Sequence, residues 1–308
     1  MSEDRVTLLT EAATPLIRPQ VVLAPYTTFR VGGAAEWYCE PASMEEMEQC
    51  GEWSQQAGIP TTVLGAGSNL LVSDAGVSGL IINTRKLRGI QFPAPGQIWA
   101  AAGEPLAKLA RVAARQGWSG LEWGIGIPGT VGGAVAMNAG AHQQSMSDCL
   151  LSVTVVTPAG LVQTLSPDDL RFGYRHSILQ QHNWIVTGAY LQLVPDQDPE
   201  VVKAQTDQNW QQRHQSQPYD WPSCGSVFRN PNPFTAGWLI EQSGLKGYQI
   251  GGAQIAHRHA NFILNRDQAS ASDIHALIRF VQETILNQWS LVLQPEVKML
   301  GEFGASLL

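Results

Sequence analysis

The sequence predicts an α+β protein with mixed sheets, arranged in three compact units. Short runs typical of strands alternate with amphipathic helices over most of the chain, and a polar, glutamine-rich segment between prolines, residues 195–222, precedes the last part. With 308 residues, 44% of them hydrophobic, the chain can bury a large core and is long enough for about two or three domains.

The first unit, residues 1–88, has the order β-α-β. "AEWYCEP" predicts a strand, and "SMEEMEQCGEWSQQAG" predicts a helix, because Ser43 and Glu46 match a capping box and Gly58 is a typical stop. "TTVLGAGSNLLV" and "GLIINT" predict strands around a glycine-rich turn. A terminal strand within 297–308 is expected to return to this unit.

The second unit, residues 89–197, has a similar rhythm. "IWAAAG" predicts a strand, and a helix follows with Pro105 at its start and Gly117 as its stop. "LLSVTVVTPAGLVQTL" predicts a hairpin and "WIVTGAYLQLV" a closing strand.

The third unit, residues 198–296, begins with the glutamine-rich helix. It continues with a short helix at "AGWLIEQSG", a strand at "NFILN", a long helix at "SASDIHALIRFVQETILNQW" and a final strand at "LVLQPEVKML".

Composition argues against several functional classes. The net charge is −7 and the 19 Lys and Arg residues are scattered, so no basic stripe favours nucleic acid or an anionic membrane. No apolar run approaches the length of a membrane span, and "MSEDRVTLLTEAATP" lacks the features of a signal peptide, so we expect a cytoplasmic protein. The four cysteines are widely spaced without a C-x-x-C pair, which predicts neither a zinc site nor a disulfide framework.

Three segments concentrate glycine: 30–37, 64–72 and 124–141. Such loops form either tight turns or cradles in which backbone N–H groups converge on a phosphate. Gly124, Gly126 and Gly129 match G-x-G-x-x-G, but Pro128 stands where a Rossmann helix would begin, and no P-loop sequence occurs. A phosphate site would therefore belong to neither of these common folds.

Longer motifs in the chain resemble one family. "TTFRVGGAAEW", "VLGAGSNLLVSDAGVSGLII", "LEWGIGIPGTVGGAVAMNAGA", "FGYRHS", "PSCGSVFRNP", "AGWLIEQSGLKGYQIGGAQIAHRHANFILN" and "LQPEVKMLG" occur in the order seen in UDP-N-acetylenolpyruvoylglucosamine reductases, the flavoprotein reductases of bacterial cell-wall precursor synthesis. The similarity spans residues 25 to 302, nearly the whole chain.

The resemblance implies an FAD-binding fold of the vanillyl-alcohol oxidase type. Residues 1–88 and 89–197 would be the two FAD-binding subdomains, and 198–296 a third, substrate-binding α+β domain. FAD would be bound non-covalently, its pyrophosphate held by convergent backbone amides. The residues implied are Gly65, Ala66, Gly67, Ser68, Asn69, Leu70, Gly129, Thr130, Gly132, Gly133, Asn138 and Gly140.

The reaction implied by the resemblance has two stages. NADPH gives hydride to FAD, and reduced FAD gives hydride to the enolpyruvyl double bond of the UDP-sugar, forming UDP-N-acetylmuramate. Hydride adds at the β carbon, so negative charge builds up on the α carbon and carboxylate, and a proton must follow.

Three residues match the family's catalytic positions. Arg175 supplies a forked cation for the carboxylate, and Glu296 follows Pro295 in an apolar stretch where burial would raise its pKa and let it donate a hydrogen bond to the enolate. Ser226 is the expected proton donor, although an isolated Ser-Gly-Ser stretch is more often a simple turn. Weaker substrate contacts are expected from Tyr174, Asn230, Lys246, Gln254 and Asn261.

One feature of some family members is absent. Arg175 and Ser226 are only 51 positions apart, which leaves no room for the tyrosine-bearing loop that closes over substrate in those proteins. The chain is therefore expected to be of the shorter-loop subclass, with its diphosphate clamp unidentified. A monomer is expected as well.

Three alternatives stay open at the level of sequence. A flavin oxidase of the same fold would share the glycine loops. A hydrolase or transferase would use Cys224 as its nucleophile, although no histidine partner can be assigned to it. A carbohydrate-binding module would use some of the 10 tryptophans, which are dispersed along the chain.

Overall fold

The computed structural model describes residues 16–304, which form two compact units. Among the described residues, the first comprises 16–19, Trp37–Ala66 and Gly79–Arg213, and the second Gln20–Glu36, Gly67–Ser78 and 214–304. The segment 1–15, on which the expectation of no signal peptide rests, and the end of the predicted returning strand, 305–308, lie outside the described residues. The division into three domains stays a prediction.

The helices confirm the main predictions from sequence. They are α1 (Met44–Ala57), α2 (Leu106–Arg115), α3 (Val131–Ala136), α4 (Pro167–Leu170), α5 (Pro199–Ser216), α6 (Ala236–Gln242) and α7 (Ala271–Trp289). Helix α1 begins where the capping box predicts, since the Ser43 hydroxyl accepts from the Glu46 amide, and it ends at Gly58 with φ 63°. In the part of the chain that is described, no helix is long and apolar enough to cross a bilayer.

The strands are shorter and more numerous than the sequence predicts. They are β1 (Arg18–Val22), β2 (Ala34–Cys39), β3 (Thr61–Leu64), β4 (Leu70–Val72), β5 (Val77–Asn83), β6 (Ile90–Ala94), β7 (Gln97–Ala101), β8 (Gly140–Ala141), β9 (Gln144–Ser145), β10 (Leu150–Val156), β11 (Val162–Leu165), β12 (Ile185–Gln192), β13 (Gln249–Ile250), β14 (Ala253–Ile255), β15 (Ile263–Asn265) and β16 (Lys298–Leu300). Only the last three residues of the predicted strand "LVLQPEVKML" form one.

The first unit is organised around a five-stranded antiparallel sheet. Its strand order is β11-β10-β12-β7-β6, and the same unit contains the parallel pair β3–β5, with Thr61 opposite Leu80 and Leu64 opposite Asn83. Leu106, Leu109 and Ala113 of α2 join the buried residues of β7, β10 and β12 in one core. The three residues of α2 are spaced three and four positions apart, so they lie on one face of the helix.

The second unit is built around α7. Its buried residues Ile274, Leu277, Ile278, Val281 and Ile285 recur at helical spacing and lie in one core with residues of α6 and of the hairpins β13–β14 and β14–β15. Strands β16 and β4 pair in parallel, with Lys298 opposite Leu70. The glycine loop before β4 is thereby joined to the chain segment that follows Glu296.

A carboxylate from a distant loop caps α7. Asp74 accepts hydrogen bonds from the Ala271 amide at 2.8 Å, the Ser272 amide at 2.9 Å and the Ser272 hydroxyl at 2.7 Å. Partial burial works to raise the Asp74 pKa, but the hydrogen bonds from Ser272 and Ala271 outweigh it and the pKa is lowered. A carboxylate at a helix N-terminus also complements the helix dipole.

Replacing Asp74 by Ala is expected to lower the free energy of unfolding by about 1 kcal/mol at pH 7, because the first-turn amides of α7 lose their acceptor. Because the folded-state pKa is depressed, this contribution is present above the unfolded-state pKa and disappears as pH falls through the folded-state value. Urea denaturation at several pH values measures it, with the exposed Asp267→Asn as the control. An equal loss in both variants, or a loss independent of pH in the acid range, would contradict the capping role.

Candidate active site

Two glycine-rich segments meet in the first unit. Gly65 follows β3, and Thr130 is the N-cap of α3; a Cβ atom placed on Gly65 would lie only 2.8 Å from the Thr130 hydroxyl oxygen. Glycine at 65 therefore lets its backbone approach the buried Thr130 hydroxyl more closely than a residue with a side chain could. The two residues fit the requirement for an anionic cofactor moiety such as the FAD pyrophosphate.

The amides at the start of α3 already have partners within the unit. The Val131 amide donates to Glu104 O at 2.8 Å, the Gly132 amide to Ala102 O at 2.9 Å, and the Gly133 amide to the Thr130 hydroxyl at 3.4 Å. A Cβ on Gly132 would lie 3.0 Å from that of Ala102. Glycine at 132 thus serves close packing of α3 on β7.

The residues of the glycine-rich segment 64–72 are divided between the two units. Gly65 and Ala66 belong to the first unit, and Gly67 to Leu70 to the second. Gly67 has φ 65°, and a Cβ there would collide with the Tyr26 carbonyl oxygen. Only glycine fits that position.

A tight turn presents Arg175 in the first unit. Gly173 and His176 exchange two backbone hydrogen bonds, of 3.0 and 3.1 Å, and Arg175 between them has φ 54°. Its guanidinium donates to the Gly140 carbonyl at 2.9 Å and lies 5.1 Å from the centre of the Tyr174 ring. The two neighbouring side chains therefore converge instead of diverging along the turn.

Asn138 fixes the base of this turn. Its side-chain amide donates to Gly173 O at 3.0 Å, and its oxygen accepts from the Ser147 amide at 3.0 Å. The residue is buried and has φ 41°. Asn138 therefore connects the glycine-rich segment 124–141 to the turn that carries Arg175.

Ser226 lies beside a short extended segment, residues 227–229, in the second unit. Val227 and Phe228 are buried, Ser226 is half-buried, and the preceding Gly225 has φ 81°. The Val227 carbonyl accepts from the Glu296 amide at 2.7 Å, and Phe228 forms an antiparallel bridge with Pro295. The two predicted catalytic residues of this unit thus stand on adjacent hydrogen-bonded segments.

Asn69 connects the glycine loop to the same segments. Its side-chain amide donates to the Glu296 carbonyl at 3.1 Å, and its own carbonyl accepts from the Lys298 amide at 2.9 Å. The backbone of Glu296 is consequently held by Val227 on one side and by Asn69 on the other. Glu296 itself is half-buried.

Cys224 is unsuited to nucleophilic chemistry. The thiol is buried, and burial together with the negative charge of Glu296 raises its pKa far above the ordinary value. A thiol protonated at neutral pH is a weak nucleophile, so the Cys224-dependent hydrolase is disfavoured. The other three cysteines are also buried free thiols.

The weaker candidates have structural partners in the second unit. Asn230 accepts from the Ala236 amide at the start of α6, Lys246 forms an ion pair of 2.6 Å with Glu241, and Gln254 donates to the Gly247 carbonyl. Asn261, expected near the substrate, is buried and bound to the backbone of Phe228. These hydrogen bonds were not predicted, because no local spacing signals a contact across 33 residues.

Within residues 16–304, no group of three or more His, Cys, Asp and Glu side chains could hold a metal ion. His257 and His259, which are close in sequence, lie on the hairpin region between β14 and β15.

Comparisons with known proteins agree with the motifs. Residues 217–300 match the model of the UDP-N-acetylenolpyruvoylglucosamine reductase C-terminal domain, and 35–166 match that of an FAD binding domain. Proteins named UDP-N-acetylenolpyruvoylglucosamine reductase from Synechococcus sp. (strain JA-3-3Ab) and Trichormus variabilis are 61% and 55% identical, covering 95% and 94% of this chain and 94% and 88% of their own lengths.

A solved structure supports the same assignment. The crystal structure of UDP-N-acetylenolpyruvylglucosamine reductase from Thermus caldophilus is 38% identical and superimposes with a TM-score of 0.81, covering 92% of this chain and all of that one. The predicted α+β fold with its FAD-binding part is confirmed. The chain belongs to the family of UDP-N-acetylenolpyruvoylglucosamine reductases, the FAD-containing oxidoreductases of peptidoglycan precursor synthesis.

Proposed function

We propose that this chain uses NADPH to reduce the enolpyruvyl double bond of UDP-N-acetylenolpyruvoylglucosamine, and that Ser226 protonates the α carbon. The observation that carries the proposal is the hydrogen-bonded array of the second unit, in which Glu296 is held between Val227 and Asn69. The backbone segments that carry Ser226, Glu296 and the glycine loop are thereby held together. Reduction of an unsaturated carboxylate requires groups of these kinds in fixed positions.

FAD, when bound, supplies the two-electron relay between NADPH and the double bond. The chain holds it non-covalently through the glycine segments predicted from sequence. Gly65 and Thr130 are the residues of that cradle at which the two segments approach each other in the first unit. Gly132 and Gly133 act by bringing α3 close to its neighbours, since their amides are already bonded.

Arg175 binds the substrate carboxylate. Its guanidinium is fixed at one nitrogen by the Gly140 carbonyl and flanked by the Tyr174 ring. A planar cation with several N–H donors matches a carboxylate in a forked geometry. Arg175 therefore stabilises the negative charge that develops when the β carbon is reduced.

Ser226 and Glu296 complete the reduction. The O–H bond of Ser226 breaks as the new C–H bond forms at the α carbon, and solvent returns a proton to the serine. A hydroxyl is a weak acid, but it is adequate toward the strongly basic enolate. Glu296 donates a hydrogen bond to the enolate when protonated and lowers the energy of that intermediate.

The broader expectations from sequence also stay with this proposal. The protein is cytoplasmic and monomeric, binds neither nucleic acid nor membranes, and is divided into domains at 1–88, 89–197 and 198–296, with 297–308 returning to the first. Tyr174, Asn230, Lys246 and Gln254 each contribute weaker contacts with the substrate.

The purified protein is expected to be yellow, to bleach when NADPH is added without oxygen, and to regain its flavin absorbance when UDP-N-acetylenolpyruvoylglucosamine follows. Denaturation should release the FAD, because the linkage is non-covalent. Absorbance spectra of the holoprotein and of its filtrate measure both results. Flavin that stays on the denatured chain, or reoxidation by oxygen but not by the sugar nucleotide, would favour the oxidase.

Ser226→Ala is expected to keep FAD bound and reducible by NADPH, while reoxidation by substrate falls by about a hundredfold or more, since a general acid is lost. Stopped-flow absorbance separates the two half-reactions. Cys224→Ser, two residues away, is the matched control and should retain both rates. Normal reoxidation in Ser226→Ala would refute the assignment.

Glu296→Gln is expected to leave flavin reduction by NADPH nearly unchanged and to slow reoxidation by substrate by about a hundredfold, because the amide is a weaker hydrogen-bond donor to the enolate. The same stopped-flow experiment applies. Glu302→Gln, an exposed carboxylate in the same terminal segment, should behave as wild type. Equal slowing of both half-reactions would instead indicate a defect in cofactor placement.

A further inference from the structure

Asn261 clamps the backbone next to Ser226. Its side-chain amide donates to the Phe228 carbonyl at 2.8 Å, its side-chain oxygen accepts from the Phe228 amide at 3.0 Å, and its own carbonyl accepts from the Val227 amide at 2.8 Å. One buried residue thus makes three hydrogen bonds to the two residues that follow Ser226. The Asn261 side chain, two residues before the start of β15, makes the pair of hydrogen bonds that the backbone of a neighbouring β-strand would otherwise make.

The other edge of this segment is bound as well. The Val227 carbonyl accepts from the Glu296 amide at 2.7 Å, and the Arg229 amide donates to Gln294 O at 2.9 Å. Residues 227–229 therefore lie between Asn261 on one side and 294–297 on the other. Movement of the segment toward either side would break hydrogen bonds to buried groups, which is costly.

Only a side chain with both a donor and an acceptor can fill this place. Asp presents oxygen to the Phe228 amide but also to the Phe228 carbonyl, and two acceptors repel each other. Leu leaves both buried backbone groups unsatisfied. On the N-terminal side of Ser226, Gly225 has φ 81°, and a Cβ atom placed on it would meet no other atom within 4 Å. On the C-terminal side, the hydrogen bonds of residues 227–229 hold the backbone that follows the serine.

We propose that Asn261 is the positioning residue for Ser226: by clamping Phe228 and Val227 it sets where the serine hydroxyl stands relative to the Glu296 segment. This inference rests on the proposed function of Ser226. Asn261 does not itself touch the substrate, and it acts on protonation alone.

The test is a double-mutant cycle of Ser226→Ala and Asn261→Asp on the holoenzyme. Asn261→Asp should bind FAD and be reduced by NADPH at the wild-type rate, while reoxidation by UDP-N-acetylenolpyruvoylglucosamine slows by about tenfold to a hundredfold, because the donor is misplaced. Its solvent deuterium isotope effect on reoxidation should exceed that of wild type, since proton transfer becomes rate-limiting. In the Ser226→Ala background the Asp substitution should add almost nothing.

The matched control is Asn265→Asp. Asn265 also donates to a backbone carbonyl, Phe29 O at 2.9 Å, and accepts from a backbone amide, that of Ala269 at 2.8 Å, but neither partner adjoins Ser226. It should lose thermal stability to a similar degree without the change in isotope effect. If Asn261→Asp fails to fold, Asn261→Gln, which keeps both groups on a longer stem, is used in its place.

The outcomes separate the two proposals. Normal reoxidation in Ser226→Ala would overturn the role of the serine itself. Slow reoxidation in Ser226→Ala, combined with an Asn261 variant that is unaffected, that matches Asn265→Asp in isotope effect, or that adds its full effect to Ser226→Ala, would overturn the positioning role while leaving the serine in place.

Discussion

The candidate site of the second unit depends on the pairing of residues 227–229 along both edges. A three-residue segment has little stability of its own, because fixing each residue costs about 1–2 kcal/mol of conformational entropy. Here Asn261 makes hydrogen bonds to the backbone along one edge of the segment, and residues 294–297 make them along the other. The burial of Val227 and Phe228 adds apolar contacts beneath. The result is a rigid support next to Ser226, the proposed proton donor.

The same logic extends to the glycine loop before β4. Asn69 binds the carbonyl of Glu296 through its side chain and the amide of Lys298 through its backbone, and β4 and β16 continue that contact as a parallel pair. A shift of the loop would therefore move the backbone of Glu296. The positions of the glycine loop and of the Glu296 backbone are therefore coupled within this unit.

The parts of the structure that sequence predicts well are those set by local rules. Helix α1 begins and ends where Ser43 and Gly58 predict, because capping involves residues three or four positions apart. The short helix α3, which follows Thr130, was not predicted. Its glycine-rich sequence has low helix propensity, and the helix is stabilised by packing. Pairings such as β1 with β2 depend on contacts that no window of the sequence contains.

The predicted catalytic residues came from motif resemblance, which also named Asn138 and Asn261, but as contacts for cofactor and substrate and not for the backbone hydrogen bonds that they make. Asn261 and Asn138 act through side-chain bonds to backbone groups 33 and 35 positions away, and such bonds leave no periodic trace. The turn of Arg175 shows the same limit. Neighbouring side chains usually diverge, but φ 54° at Arg175 folds its guanidinium over Tyr174. Backbone conformation decided the outcome, and residue order did not.

Gly225 explains why Cys224 and Ser226 differ so strongly in environment. In a regular strand, residues two positions apart point to the same face, so the Cys224 thiol and the Ser226 hydroxyl would be buried or exposed together. The left-handed conformation at Gly225, φ 81°, breaks the alternation between them. Cys224 turns into the core while Ser226 stays half-buried. A larger residue at 225 would meet no steric clash, since the space is open, but it would be strained in this conformation. Conformational freedom at one position therefore separates an inert thiol from an accessible hydroxyl.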